Sequence, residues 1–397
     1  MNKLTIINIC IINCLLAISS TIGMTIIPLI VVDSLGLSFF ILGLIEGISE
    51  FFSSTIRLYS GLFFDKKENK LQLILYPIYL ALASKLLLLH PNTLMVVLTK
   101  FIERLSNGAF GPLRDALTLK LSNNEGKDLA LLNISKSIGC LLGPLIVTFM
   151  FYFITDYNIL ILLCVFLCLV ALVIGVYLKQ LPLNITSIKT DSVTLKLKDI
   201  KEMKTIYPIL ILSFIFFLSR FNDGLILLFL RDSNYPQWIY LSTIGIFNAF
   251  MLIISPIIGN LLDKGYIKHC LYFSVISMLL FNIFAIGLNI TNTILAFITL
   301  FFWGAQRVSS QMTFIYMIKQ TIKSEYLGRA IGVYSLLTGL SVFLAASICG
   351  YLAKISFMYV FVYSFIWSFI CLGCLIYYLN TNKLEQKSTA SSSLSSS

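Results

Sequence analysis

Twelve times along the chain, a nearly uncharged apolar run reaches the length an α-helix needs to cross a bilayer, about 20 residues for roughly 30 Å of hydrocarbon. The runs fall at 5–32, 38–64, 71–90, 93–119, 128–154, 158–178, 207–230, 237–262, 270–289, 291–318, 330–354 and 358–379. A backbone facing lipid must satisfy its polar groups within its own segment or in a closed barrel, and the alternating pattern of barrel strands is absent, so the runs are read as helices. Over the 397 residues, 58% are hydrophobic, 12% are charged and the mean hydropathy is +0.92. No ordinary water-facing surface can be assembled from such a chain. The first run follows Met-Asn-Lys, but it is too long for a signal peptide and shows no small-residue cleavage site, which identifies a retained first helix. The expected fold class is an all-α membrane protein with twelve transmembrane helices.

The net charge is +11, which in a soluble protein would point to nucleic acid. Here the basic residues follow the membrane instead. Of the 29 Lys and Arg, eight lie within the apolar runs, two (Arg231 and Lys354) fall on one side and 19 on the other. The positive-inside rule then places both termini in the cytoplasm, and no separate basic domain is left for nucleic acid. The one long polar stretch, 179–206, has six runs before it and six after, which divides the chain into bundles at 1–178 and 207–380, followed by a Ser-rich tail at 381–397 expected to be disordered. Equal hydrophobic halves point to a parallel internal repeat, with a site between the bundles near mid-depth. The nine cysteines lie almost entirely in apolar runs, as small hydrophobes do, and the two histidines, His90 and His269, sit at run ends. No metal site, cofactor or nucleotide-binding Gly-x4-Gly-Lys element is expected.

One short pattern recurs in both halves. "GLFFDKKENK" (61–70) and "GNLLDKGYIK" (259–268) each close the second run of a half with Gly, three residues, then Asp-Lys. Gly61, Asp65 and Lys66, and their counterparts Gly259, Asp263 and Lys264, are read as a latch at the membrane boundary, where glycine allows close helix approach and the Asp faces a helix N-terminus or a cation. The alternative is a cytoplasmic turn with positive-inside lysines. At these residues the chain resembles the major facilitator superfamily. "GLIEGISEFFSSTIRLYSGLFFD" (43–65), "ERLSNGAFGPLRDAL" (103–117) and "LGRAIGVYSLLTGLSVFLAASICGYL" (327–352) are similar to the second, fourth and eleventh helices of one bacterial subgroup. The resemblance implies two pseudo-symmetric six-helix bundles in a bacterial inner membrane, with helices one, four, seven and ten lining a central cavity. It also assigns Arg114 and Asp115 to the latch. In "GCLLGPLIVT" (139–148), Gly139, Gly143 and Pro144 form a packing element similar to one common among exporters, which slightly favours export.

Ionisable residues within membrane runs cost several kcal/mol unless they meet a cavity or a partner, by about 2.5–3.5 kcal/mol on insertion scales. Glu46, Glu50 and Arg57 share one face of the second run; Glu103 and Arg104 lie mid-way along the fourth; Arg220, Asn222 and Asp223 sit within the seventh; Gln306, Arg307 and Gln311 lie on the tenth. Glu46, Glu50, Glu103 and Asp223 are the candidates for an exchanged proton, because desolvation and a nearby arginine act on a carboxylate in opposite directions. Glu103–Arg104 and Arg220–Asp223 could alternatively be permanent structural pairs. Lys85 is expected to snorkel to an interface. Arg104, Arg220 and Arg307, with Gln306, Gln311 and Asn222, are the candidate substrate ligands, pointing to an anionic or zwitterionic organic solute such as a carboxylate siderophore. The function expected is proton-coupled secondary transport by a monomer. Competing classes are a multidrug efflux carrier of broad specificity, a non-transporting sensor and a membrane-embedded enzyme, the last disfavoured by the poorly placed histidines.

Overall fold

The computed structural model describes residues 2–65, 73–121, 125–153, 156–179, 204–289, 292–322 and 327–394. Its helices are α1 (Asn2–Leu29, continued by a π-turn Ile30–Ser34), α2 (Phe39–Asp65), α3 (Leu75–Leu88), α4 (Thr93–Leu121), α5 (Glu125–Phe153) and α6 (Tyr157–Lys179) in the first half. The second half has α7 (Tyr207–Leu218), α8 (Asp223–Asp232), α9 (Gln237–Asp263), α10 (Ile267–Ile286), α11 (Thr293–Thr321), α12 (Leu327–Ile355) and α13 (Phe357–Leu394). No strand occurs among the described residues. Among the described residues each apolar run coincides with a helical stretch, and nine stretches have the length and hydropathy to cross a membrane, α7 and α8 together forming one of them. The other three are α3, which is short, and α4 and α11, which carry the polar faces described below.

Helix starts are written locally. Asn92 Oδ1 accepts from Met95 N at 2.8 Å before α4, and Asn292 Oδ1 accepts from Ile294 N at 3.0 Å at the start of α11. The α9–α10 turn is closed by Gly265 at φ +82°, with Tyr266 N bonded to Leu261 O and Gly265 N to Leu262 O, a left-handed cap that a side chain would strain. Helix α13 continues to Leu394.

The seventh membrane run is broken. Helix α7 stops at Leu218, and Asn222 starts α8 with its Oδ1 accepting from Gly224 N at 2.8 Å. A backbone group released by such a break must find another partner in an apolar interior. Ser219 O finds one in Ser364 Oγ on α13 at 2.7 Å.

The first and seventh runs are the most enclosed, each 78% buried over its apolar window, whereas the α5 and α13 windows are 28% and 33% buried and form the outside of the bundle. Phe149, Tyr152, Phe369 and Tyr377 are exposed there, as expected of a lipid-facing belt. The halves meet along α2–α12 and α5–α9, with α1 touching α8. Small residues make the approach possible: a Cβ on Gly350 would lie 2.7 Å from Phe39 O, one on Gly47 3.0 Å from Phe343 O, and one on Gly224 2.7 Å from Pro28 Cγ. With the start of α1 and the end of α6 at one end of the bundle (the linker end), these contacts lie towards the opposite, far end. There Asp33, just past α1, forms an ion pair with Arg231 on α8.

Candidate functional site

Helices α2, α4 and α11 present charged side chains along their lengths and α8 presents one at its first residue, and these groups converge where the two halves face each other. In the first half the pairing runs between helices. Lys85 Nζ on α3 lies 2.8 Å from Glu103 Oε1 on α4, and Lys100 on α4 is paired with Glu46 on α2. Arg104 reaches α2 with both arms, Nη1 at 3.0 Å from Glu50 Oε2 and Nη2 at 3.6 Å from Glu46 Oε2. In the second half Asp223 opens α8, where a carboxylate also suits the helix dipole. It accepts from Trp303 Nε1 at 2.9 Å and is paired with Arg307, both on α11.

The two clusters sense each other. Arg104 is within electrostatic reach of Asp223, and Arg307 within reach of Glu50 and Arg104. Although they lie deep along their helices, the side chains of Glu50, Arg307 and Arg104 remain 31%, 25% and 18% exposed. Groups so charged and so mutually paired at mid-depth are held by one another across helices and not left to lipid.

Several sequence expectations change in this geometry. Lys85 does not snorkel: it is 2% exposed and enclosed against Glu103. Gly23 on α1 makes room for it, since a Cβ there would sit 2.8 Å from Lys85 Nζ. The sequence-adjacent pairs Glu103–Arg104 and Arg220–Asp223 are replaced by Glu103–Lys85 and Asp223–Arg307. Arg220 itself forms no ion pair among the described residues, and its Nε has no partner. Its guanidinium lies 5.2 Å from the centre of the Phe217 ring. Asn222 caps α8 and leaves Nδ2 unpaired. Gln306 is wholly enclosed with neither amide atom bonded, whereas Gln311, one turn on from Arg307, is exposed on the same face. Trp303, Lys85 and Lys100 complete the charge network; the two lysines were counted among the eight basic residues of the apolar runs without a role in the site, and an indole N–H inside an apolar run is the one signal that could have marked Trp303.

The remaining residues lie away from this network. Arg114 on α4 donates to Asn13 on α1 and to Asp115 Oδ1 at 3.1 Å, a tie within the first half. A Cβ on Gly139 would lie 2.6 Å from Cys14 O and Ala17 Cβ, and one on Gly143 2.9 Å from Ile18 O, so this element packs α5 against α1, while Pro144 faces Gly245 on α9 of the other half. Asp263 and Lys264 are exposed, and at Gly259 an added Cβ would meet only Met312 Cε at 3.5 Å, an ordinary contact that does not require glycine. The side chains around Gly61 and Asp65, and the whole of Lys66, lie outside the described residues.

Comparison with known proteins agrees with this architecture. A family model described as Major Facilitator Superfamily matches residues 9–318. No curated protein matches the sequence. Among solved structures, a mutant of the nucleoside transporter NupG superposes with a TM-score of 0.79 at 12% identity, covering 93% of this chain and 99% of that one. A POT family transporter in complex with a thioalcohol-conjugated peptide gives 0.76 at 12% identity, covering 95% and 96%. A mutant peptide transporter POT in complex with alafosfalin gives 0.74 at 12% identity, covering 93% of each chain. The chain therefore belongs to the Major Facilitator Superfamily, a family of transporters and not of enzymes.

Proposed function

We propose that this protein is a proton-coupled secondary transporter of a small anionic or zwitterionic organic solute, working as a monomer with twelve spanning helices and both termini in the cytoplasm of a bacterial cell. The observation that carries the reading is the convergence of charge: carboxylates and guanidinium groups from both halves meet at mid-depth, and Glu50, Arg104 and Arg307 stay partly exposed. The described central side chains comprise five bases (Lys85, Lys100, Arg104, Arg220 and Arg307) and four acids (Glu46, Glu50, Glu103 and Asp223), an excess of one positive charge that favours an anionic group on the cargo.

Within the network Glu50 is the best-placed proton carrier. It is the most exposed of the four acids and is held by Arg104, so a proton arriving from the gap between the halves would release Arg104, and the loss of that proton would restore the pair. Glu46, Glu103 and Asp223 are enclosed by their partners and serve to hold the arrangement. The relatives' cargoes, nucleosides and peptides, are compatible with a polar organic solute but carry no assignment at this identity. The α5 glycine–proline element leaves export slightly favoured over import.

The test uses purified protein in liposomes loaded with a pH-sensitive dye, to which small carboxylates, amino acids, short peptides and nucleosides are added in turn. At least one anionic or zwitterionic solute should change the internal pH in wild-type vesicles but not in empty vesicles, and Glu50→Gln should abolish the change while leaving solute exchange intact. Silence across the whole panel, or an unaltered response in Glu50→Gln, would refute proton coupling through this site.

A further inference from the structure

We infer that the region around the break in the seventh run is a recognition site for an aromatic monoanion, with Arg220 as the seat of its carboxylate. This deepens, and rests on, the reading of the central gap as a solute path. A guanidinium offers five N–H donors and no acceptor, and enclosing it without a counter-ion is costly. Each other central base has a carboxylate: Lys85, Lys100, Arg104 and Arg307 are all in ion pairs. Arg220 is only 8% exposed and forms no ion pair among the described residues; Asp223 and Glu50 lie within its electrostatic reach but are bonded to Arg307 and Arg104.

The groups beside it are unsatisfied as well. Asn222 Nδ2, two residues on, has no partner. The Tyr334 hydroxyl on α12 is buried without a partner and lies within electrostatic reach of Arg220. Three enclosed donors, Arg220 Nε, Asn222 Nδ2 and the Tyr334 hydroxyl, lack an acceptor, which an incoming carboxylate at Arg220 supplies. Below the guanidinium stands an aromatic wall. Phe217, Phe314 and Tyr334 form a triangle with every pair of ring centres 6.4 Å apart, and Phe216 joins Phe314 at 5.9 Å. One charge seat against aromatic faces selects a monoanion with a flat apolar body. It argues against the polycarboxylate siderophore considered from the sequence, whose further charges would meet arginines already committed to Glu50 and Asp223.

Binding to purified protein in nanodiscs, measured by calorimetry, separates the terms with four probes: phenylacetate, acetate, phenylacetamide and 1,4-phenylenediacetate. Phenylacetate should bind about tenfold or more tightly than the ringless, uncharged and doubly charged probes. Arg220→Gln should abolish that preference, Arg220→Lys should keep the preference for the anion over the amide, and Tyr334→Phe should weaken phenylacetate by about three- to tenfold. Equal binding in wild type and Arg220→Gln, tighter binding of the dianion, or no phenylacetate binding at millimolar concentration would each overturn the inference. Failure of the transport reading looks different: phenylacetate would bind through Arg220 yet move no protons. Conversely, proton-coupled movement of other solutes that persists in Arg220→Gln would leave transport standing and remove this site.

Discussion

At the scale of single residues, the most consequential feature is a lysine and a glutamate enclosed together. Lys85 and Glu103 are 2% and 7% exposed at their side chains, so neither has water as a fallback. Removing one partner of such a pair costs about 3–5 kcal/mol, because the other charge is left buried, whereas replacing both by apolar groups of similar volume is often neutral. Lys85→Met should therefore lower the unfolding temperature markedly, and Lys85→Met with Glu103→Leu should recover much of the loss; strictly additive losses would mean that the two groups do not depend on each other. That these charges exist was legible in the sequence, since an acid or base within an apolar run is conspicuous. Their partners were not. Lys85 sits one turn from the end of its run, where a long side chain normally reaches for the interface, and only the α3–α4 hairpin turns it inward onto a carboxylate 18 residues away. Likewise Asp223 pairs with Arg307, 84 residues distant, while its near neighbour Arg220, across the break before α8, lies within electrostatic reach of it without an ion pair.

At the scale of elements, two kinds of glycine contact should fail in different ways. Gly139 packs α5 on α1 within one half, whereas Gly350 packs α12 on α2 between halves. Overfilling a tight contact costs about 1–3 kcal/mol. In Gly139→Leu that cost falls on folding, and the variant should show a lower unfolding temperature. In Gly350→Leu it falls on the far-end contact between the halves, so the unfolding temperature should change little while maleimide labelling of a cysteine placed at Phe39 increases; equal effects on both readouts in both variants would argue against this division. The Gly-x3-Gly-Pro spacing was visible in the sequence. The break in the seventh run was hidden in plain sight, because hydropathy averages across Asn222-Asp223-Gly224, which reads equally well as a helix cap and as polar residues on an unbroken helix. In the second Gly-x3-Asp-Lys element the residue with a structural role is Gly265, one beyond the pattern, whose left-handed conformation closes the turn.

For the whole molecule, the arrangement of contacts defines which end is shut. Asp33–Arg231, Gly350 against Phe39 and Gly47 against Phe343 bring the halves together towards the far end, so this structure corresponds to a carrier closed there, and alternating access requires the same contacts to part. The relative strengths matter. An exposed ion pair contributes up to about 1 kcal/mol, so Asp33→Asn should shift the balance between states by no more than about fivefold and leave transport measurable. A covalent tie acts on a different scale. A Cβ at Gly47 would lie 3.2 Å from Ala346 Cβ, a few tenths of an ångström inside the usual disulfide spacing of about 3.5–4.5 Å. With the native cysteines replaced, Gly47→Cys and Ala346→Cys should therefore oxidise readily into a disulfide across the halves. The oxidised protein should carry no proton-coupled flux, and reductant should restore it to the level of the single-cysteine controls. Undiminished flux through the oxidised protein would show that α2 and α12 do not separate during the cycle, and the solute would need a route other than the gap between the halves.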